Sequence, residues 1–254
     1  MGIALILMAV GMMLGFGAEA MVEAETEAEG SENSDRIDGT ERDDNFRGAA
    51  GDDLLLGNGG NDNIFGDGGN DWIFGMHGLD TLTGGAGNDV LVGGAGADAI
   101  DAGDGDDFVE AANLLDADAL AGSLTGANSF ADIAFTYDLS LQSDAGDAVD
   151  LGAGDDTVVV GANDTVTGAE GADKFATGDW IETHGAAYLP DFDPAEDILT
   201  FAYDDAGRAP DLTIQVDPVR GGVTLLNHGE PIALIGAAPG TITTSDVMLV
   251  AYAR

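Results

Sequence analysis

The chain has 254 residues, of which 48 are acidic and seven basic, giving a formal net charge of -41. So large an anionic excess argues against nucleic acid and anionic lipid as partners and favours cations. Forty glycines without a single cysteine exclude a disulfide framework and a thiolate metal site, so the backbone must be made rigid by other means.

The first segment, residues 1–20, opens with an almost wholly apolar run from Met1 to Gly17, followed by the A-x-A pattern Ala18-Glu19-Ala20. No Lys or Arg precedes the run, and it is short beside the about 20 residues of a membrane span. Its position and length nonetheless predict an export signal or an anchor rather than a buried strand. Residues 21–34 contain MVEAETEAEGSE, which has no apolar period and reads as a solvated acidic linker.

From 35 to 110 a nine-residue period governs the chain. Aspartate stands at Asp35, Asp44, Asp53, Asp62, Asp71, Asp80, Asp89, Asp98 and Asp107, and two residues after each comes an apolar side chain, from Ile37 and Phe46 to Ile100 and Val109. Glycine precedes each aspartate by two residues from Gly51 onward, and a second glycine column runs through Gly57, Gly66, Gly75, Gly84 and Gly93. A disordered acidic polymer would lack such regularly spaced Leu, Ile, Val and Phe. The unit divides into a six-residue turn, G-x-x-G-x-D, and a three-residue strand whose middle residue points inward. Internal repeats of this length predict a solenoid.

Residues 111–144 lose the period and form an irregular insertion. AANLLDADALAGSL suits a short helix or a loop, and SFADIAFTYDLSL suits a strand. A second, degenerate block covers 145–178, with Gly154-Asp155-Asp156, Asn163-Asp164 and Gly171-Ala172-Asp173, and its spacing slips once from nine to eight. The last region, 179–254, holds strand-like runs such as DILTFAY, LTIQV, PIALI and VMLVAY between turn residues, and predicts a β-meander that caps the repeats.

Repeated aspartates in glycine turns point to a metal. Aspartate offers a hard charged oxygen on a short arm, and calcium accepts 6 to 8 oxygens from carboxylates and carbonyls alike, which fits these turns better than zinc or copper. Two strands and two turns close a coil in eighteen residues, so Asp35, Asp53, Asp71, Asp89 and Asp107 fall on one edge and Asp44, Asp62, Asp80 and Asp98 on the other. Asp156 and Asp173 are the ligand candidates of the second block. The first sites are expected to be weak or empty, since Asn33 and Arg42 stand where glycine is expected. With a thin core, metal binding and folding are expected to be one event.

These residues resemble the RTX (repeats-in-toxin) hemolysin-type calcium-binding nonapeptide family, whose consensus is G-G-x-G-x-D-x-U-x. The resemblance is strong over about 35–110 and weaker over 145–176. It implies an all-β fold, a right-handed parallel β-roll, with several calcium ions held between turns. The ligands would be the repeat aspartates and turn carbonyls such as those of Gly57, Gly66, Gly75, Gly84 and Gly93. It further implies export from a Gram-negative bacterium by the type I secretion machinery, to the medium or the cell surface. Asp246-Val247-Met248-Leu249-Val250 is similar to a C-terminal secretion signal.

No catalytic constellation accompanies the repeats, and an enzyme is not expected. His77, His184 and His228 do not lie in H-E-x-x-H, and G-x-S-x-G is missing. Asp191, Asp193, Glu196 and Asp197 suit a solvated or calcium-binding loop better than a paired-carboxylate site, and Trp72 and Trp180 suit packing better than sugar stacking. Two functions therefore stand: an extracellular calcium-folded protein with a structural or adhesive role, or a calcium-dependent module that binds or modifies polysaccharide, with surface glycans as partners.

Overall fold

The computed structural model describes residues 27–114, 145–181, 185–204, 208–219, 221–238 and 240–252. The expected signal or anchor, the first residues of the linker and most of the 111–144 insertion lie outside the described residues.

All regular elements among the described residues are strands. They begin with β1 (Glu27–Glu29) and β2 (Arg36–Asp38). Seven six-residue strands follow: β3 (Asn45–Ala50), β4 (Leu54–Gly59), β5 (Asn63–Gly68), β6 (Trp72–His77), β7 (Thr81–Ala86), β8 (Val90–Ala95) and β9 (Ala99–Asp104). After β10 (Phe108–Glu110) come β11 (Ala148–Ala153), β12 (Thr157–Val159), β13 (Thr165–Thr167) and β14 (Lys174–Gly178). The last six are β15 (Ala187–Leu189), β16 (Ile198–Asp204), β17 (Leu212–Val216), β18 (Val223–Asn227), β19 (Glu230–Ile235) and β20 (Val247–Tyr252).

Odd and even strands separate into two sheets, with β18 alone among the even strands in the first. The first has 11 strands in the order β1-β3-β5-β7-β9-β11-β13-β15-β19-β18-β17, and the second has nine in the order β2-β4-β6-β8-β10-β12-β14-β16-β20. Within the repeats every pairing is parallel and joins equivalent residues of successive coils, as in Phe46↔Ile64 and Leu55↔Ile73. This is the parallel β-roll that the family resemblance implies.

The inward column of the repeats fills the space between the sheets. Leu55, Ile64, Ile73, Leu82, Leu91 and Val109 are fully buried, and the same column continues through Val158, Val166, Phe175 and Leu199. Trp180 packs beside it and donates its indole N–H to the Val160 carbonyl at 2.9 Å.

Three features go beyond the three-residue strand expected per repeat. First, strands run for six residues, because stacking places each turn residue over its equivalent in the next coil and hydrogen bonds continue past the bend. Gly51 N–H, for example, donates to the Gly68 carbonyl at 2.9 Å. Second, the roll starts at Glu27, inside the stretch read as linker, since β1 pairs with β3.

Third, the two repeat blocks form one roll. Ala99 pairs with Ala148 in a 49-residue step where earlier coils take 18, so 31 residues are looped out and the register resumes unchanged. The eight-residue spacing in the second block is taken up in the turn at Asn163 (φ 66), and the coil shortens to 17 residues with Val149 still over Val166. The C-terminal region is partly the expected meander, since β17, β18 and β19 are antiparallel neighbours. It is also partly more roll, since β19 joins β15 and β20 joins β16 in parallel.

Candidate metal centre

The repeat aspartates stand at the turns, and the structure stacks them into two ladders along the edges of the roll. Asp44, Asp53, Asp62, Asp71, Asp80, Asp89, Asp98, Asp107, Asp156 and Asp173 are all buried, each at 2% exposure or less. An isolated buried carboxylate is costly, so each must be compensated. Half of that compensation comes from the backbone. Each Oδ1 accepts the main-chain N–H of the aspartate one coil earlier: Asp35 to Asp53 at 2.7 Å, Asp53 to Asp71 at 2.8 Å, and Asp71 to Asp89 and Asp89 to Asp107 at 2.7 Å. On the opposite edge Asp44 donates to Asp62, Asp62 to Asp80 and Asp80 to Asp98, all at 2.8 Å.

Both ladders continue across the insertion. Asp107 donates to Asp156 at 2.7 Å, Asp156 to Asp173 and Asp173 to Asp197 at 3.1 Å, while Asp98 donates to Asp147 at 2.7 Å and Asp147 to Asp164 at 2.9 Å. Asp147 and Asp164 were not among the ligand candidates read from the sequence, and Asp197 was read only as part of a solvated or calcium-binding loop, not as a rung of the ladder. Each nevertheless carries the diagnostic apolar residue two places on, Val149, Val166 or Leu199, and that signal would have found them.

The other oxygen of each carboxylate decides what the ladder can do. Oδ2 of Asp53, Asp62, Asp71, Asp80, Asp89, Asp107 and Asp156 is buried and has no hydrogen-bond partner among the described residues. At Asp53, Asp62, Asp71, Asp80 and Asp89 these atoms lie over a glycine five residues upstream, where a side chain would sit, while Ala102 and Leu151 hold that position at Asp107 and Asp156. A methyl group added at Gly66 would meet Asp71 Oδ2 and, at 2.6 Å, the Gly84 carbonyl oxygen. One added at Gly75 would meet Asp80 Oδ2 and, at 2.7 Å, the Gly93 carbonyl oxygen. The same cradle recurs at Gly57 with Asp62 and the Gly75 carbonyl, at Gly48 with Asp53 and the Gly66 carbonyl, and at Gly39 with Asp44 and the Gly57 carbonyl. Gly57, Gly66, Gly75, Gly84 and Gly93 are thus brought together with the aspartates, each carbonyl facing the carboxylate of a neighbouring coil.

This donor set suits a hard cation. Among the described residues no three carboxylate or histidine side chains gather at one point, so an ion here would need carbonyl oxygens as well. Calcium accepts such mixed oxygen shells. Electrostatics point the same way. Burial, opposed by the backbone N–H and aided by neighbouring aspartates, pushes Asp53, Asp62, Asp89 and Asp156 up to about 7 and Asp71, Asp80 and Asp173 up to about 6. Asp107 is raised for the same first reason. Without a cation these ladders therefore hold protons up to near neutrality, which a bound cation would displace.

At the ends the protein supplies its own donors. Asp35 Oδ2 accepts from the Ser31 N–H at 2.6 Å and the Ser31 hydroxyl at 2.7 Å, Asp44 Oδ2 from the Thr40 N–H, and Asp164 Oδ2 from the Gly161 N–H. The first two stand at the turns where weak or empty sites are expected from Asn33 and Arg42.

A second ladder, exposed and oppositely directed, runs beside the first. Asp43, Asp52, Asn61, Asn70 and Asn88 use side-chain oxygens to accept the N–H of the residue one coil later, as in Asn70 N–H to Asp52 at 2.9 Å and Asn88 N–H to Asn70 at 2.8 Å. Its signal was an Asn or Asp just before the repeat aspartate. In the segment read as a solvated or calcium-binding loop, Asp191, Asp193 and Glu196 are exposed, and Gly168 and Ala169 N–H donate to Asp191 while Asp193 N–H donates to Asp197.

Comparison with known proteins gives the same assignment. The profile of the RTX calcium-binding nonapeptide repeat (4 copies) matches residues 29–64, 38–73, 56–91, 74–109 and 150–179. No curated protein matches the chain. Among solved structures, the extracellular lipase LipA from Serratia marcescens is similar at 16% identity, over 91% of this chain and 41% of the lipase. Its TM-score of 0.27 gives that likeness no weight.

Proposed function

Since the chain belongs to the RTX calcium-binding nonapeptide-repeat family, we propose that it is an extracellular protein that folds as it binds calcium after export and then serves a structural or adhesive role. The observation that carries this reading is the run of buried, unpartnered Oδ2 atoms at Asp53, Asp62, Asp71, Asp80, Asp89, Asp107 and Asp156, the first five of them beside a glycine cradle and a carbonyl from the next coil. Without a cation these oxygens are buried charges that repel along the ladder; with one, they become ligands. Asp53, Asp62, Asp71, Asp80, Asp89, Asp107 and Asp156 would hold calcium together with the glycine carbonyls, and calcium would supply the neutralising charge.

Linkage then makes the roll conditional on its ion. Each site at ten times its dissociation constant adds about 1.4 kcal/mol, so a few sites amount to a large share of a domain stability of about 5–15 kcal/mol. Low cytosolic calcium would keep the chain unfolded for type I export, and calcium outside the cell would fold it. The net charge of -41 supports this order of events, since self-repulsion opposes compaction until cations arrive.

Circular dichroism of the full chain tests the reading. In chelator a coil spectrum is expected, turning to β-structure on millimolar calcium but not on equal magnesium, whose octahedral preference suits carbonyl cradles poorly. A chain fully folded in chelator at neutral pH would refute it. Fractionating expressing cells into cytosol, surface and medium tests the extracellular part.

A further inference from the structure

The column of glycines that cradles the carboxylates does not run the length of the roll. On one edge the parallel register stacks Gly48, Gly66, Gly84, Ala102 and Leu151 at equivalent positions; Thr83↔Asp101 and Gly85↔Gly103, for example, flank Gly84 and Ala102. On the other edge it stacks Gly75, Gly93, Ala111 and Val160. Glycine thus gives way to alkyl side chains on both edges as the column passes β9 and β10. Ala102, Ala111, Leu151 and Val160 are all buried members of the apolar core between the sheets.

The switch matters because the column lines the space between a carboxylate and the carbonyl of the next coil. A Cβ placed at Gly84 would meet Asp89 Oδ2 at 2.5 Å and, closer still, the Ala102 carbonyl oxygen. Asp53, Asp62, Asp71, Asp80 and Asp89 each combine such a glycine with a facing carbonyl and a buried Oδ2 that has no hydrogen-bond partner among the described residues. At Gly93 the nearest atoms all belong to Asp98, so that rung lacks the close carbonyl. Asp107 and Asp156 keep an unpartnered Oδ2, but their column residues are Ala102 and Leu151. A methyl group and an isobutyl group then stand where the other five rungs have open space. Close-packed interiors admit extra atoms only by displacing what is already there.

We propose that Ala102 and Leu151 grade the ladder: the five rungs with glycine and a facing carbonyl bind calcium tightly, and Asp107 and Asp156 bind it more weakly. The two side chains act by excluding the ion's oxygen shell, not as ligands. This rests on calcium as the ion of the ladders and adds which rungs fill first.

Equilibrium dialysis of the full chain against radioactive calcium, from micromolar to millimolar free ion, counts the sites. A tight class of five is expected, with the next sites at least about tenfold weaker. Ala102→Gly and Leu151→Gly should each enlarge the tight class by one, the second with a loss of stability from the cavity it leaves. Leu225→Ala truncates a buried core residue outside the column and should cost stability without changing the count.

Circular dichroism in saturating calcium shows which variants are folded, and where Leu151→Gly is not, Ala102→Gly and the unaltered chain decide. Any other size for the tight class of the unaltered chain, a single uniform class above all, would overturn the grading. So would folded glycine variants that leave the class at five. A chain that binds no calcium tightly and is folded in chelator would instead refute calcium as the ion of the ladders, which keeps the two failures distinct.

Discussion

The turns from Asp53 to Asp107 and those at Asp35, Asp44 and Asp164 use the same residue in the same register, yet they solve the burial of a carboxylate differently. At the end turns, Ser31, Thr40 and Gly161 donate to the second oxygen, so protein alone completes the site. In the middle turns Asp53, Asp62, Asp71, Asp80, Asp89 and Asp107 keep that oxygen unpartnered, the first five beside a glycine cradle. One sequence motif therefore gives two arrangements: ends completed by protein donors and a middle whose second carboxylate oxygen is left for a cation.

The largest break in this contrast should come from Asp71→Ala. It removes a carboxylate between two neighbouring rungs and strands the Asp53 N–H, at about 1–3 kcal/mol for the orphaned donor alone, before the lost calcium is counted. Asp35→Ala should cost less, about 1 kcal/mol, because no earlier rung donates to it among the described residues and the Ser31 N–H and hydroxyl it frees lie in a half-exposed turn that water can reach. Urea titrations in fixed calcium measure both, and equal costs would erase the distinction between middle and end.

Gly66→Ala should come next. Its methyl would enter the space between Asp71 Oδ2 and the Gly84 carbonyl, at about 1–3 kcal/mol as overpacking with a raised calcium midpoint. Gly66 is not among the residues of positive φ, so the loss reports cradle volume and not backbone strain. An unchanged calcium midpoint would show that the cradle is not where the ion sits.

The smallest and most general effect is on pH. The middle aspartates have folded values raised to about 6–7 by burial, above the usual carboxylate value of 3.8, so the metal-free roll binds more protons than the unfolded chain. Its stability should rise as pH falls through about 7 toward 4 and be lost as pH rises again. Calcium should bind more weakly over the same window, since protons compete for the same oxygens. Thermal melts in metal-free buffers at pH 5 and pH 8 check the sign: the metal-free roll should be the more stable at pH 5.

Much of the roll could be read from period alone. Nine-residue spacing placed Leu55, Ile64 and Ile73 inward and Asp53, Asp62 and Asp71 at the turns, because identical units stacked at a constant step must repeat their contacts. Counting failed where the step changed. Asp147 follows a 31-residue excursion, Asp164 follows an eight-residue unit, and Asp197 lies beyond the recognisable repeats, yet hydrogen bonds return all three to the ladders. The same change of step hid Leu151 and Val160, which continue the glycine column as core residues.

By itself the sequence determined the roll, its two edges and its demand for a hard cation, since these follow from a repeat whose every unit meets the same neighbours. Only the tertiary structure decided which carboxylates are left unpartnered, that the two blocks are one stack, and that the glycine column passes into the apolar core. Those outcomes depend on contacts between coils 17 to 49 residues apart, where a single serine or a looped-out segment changes the partner without changing the motif.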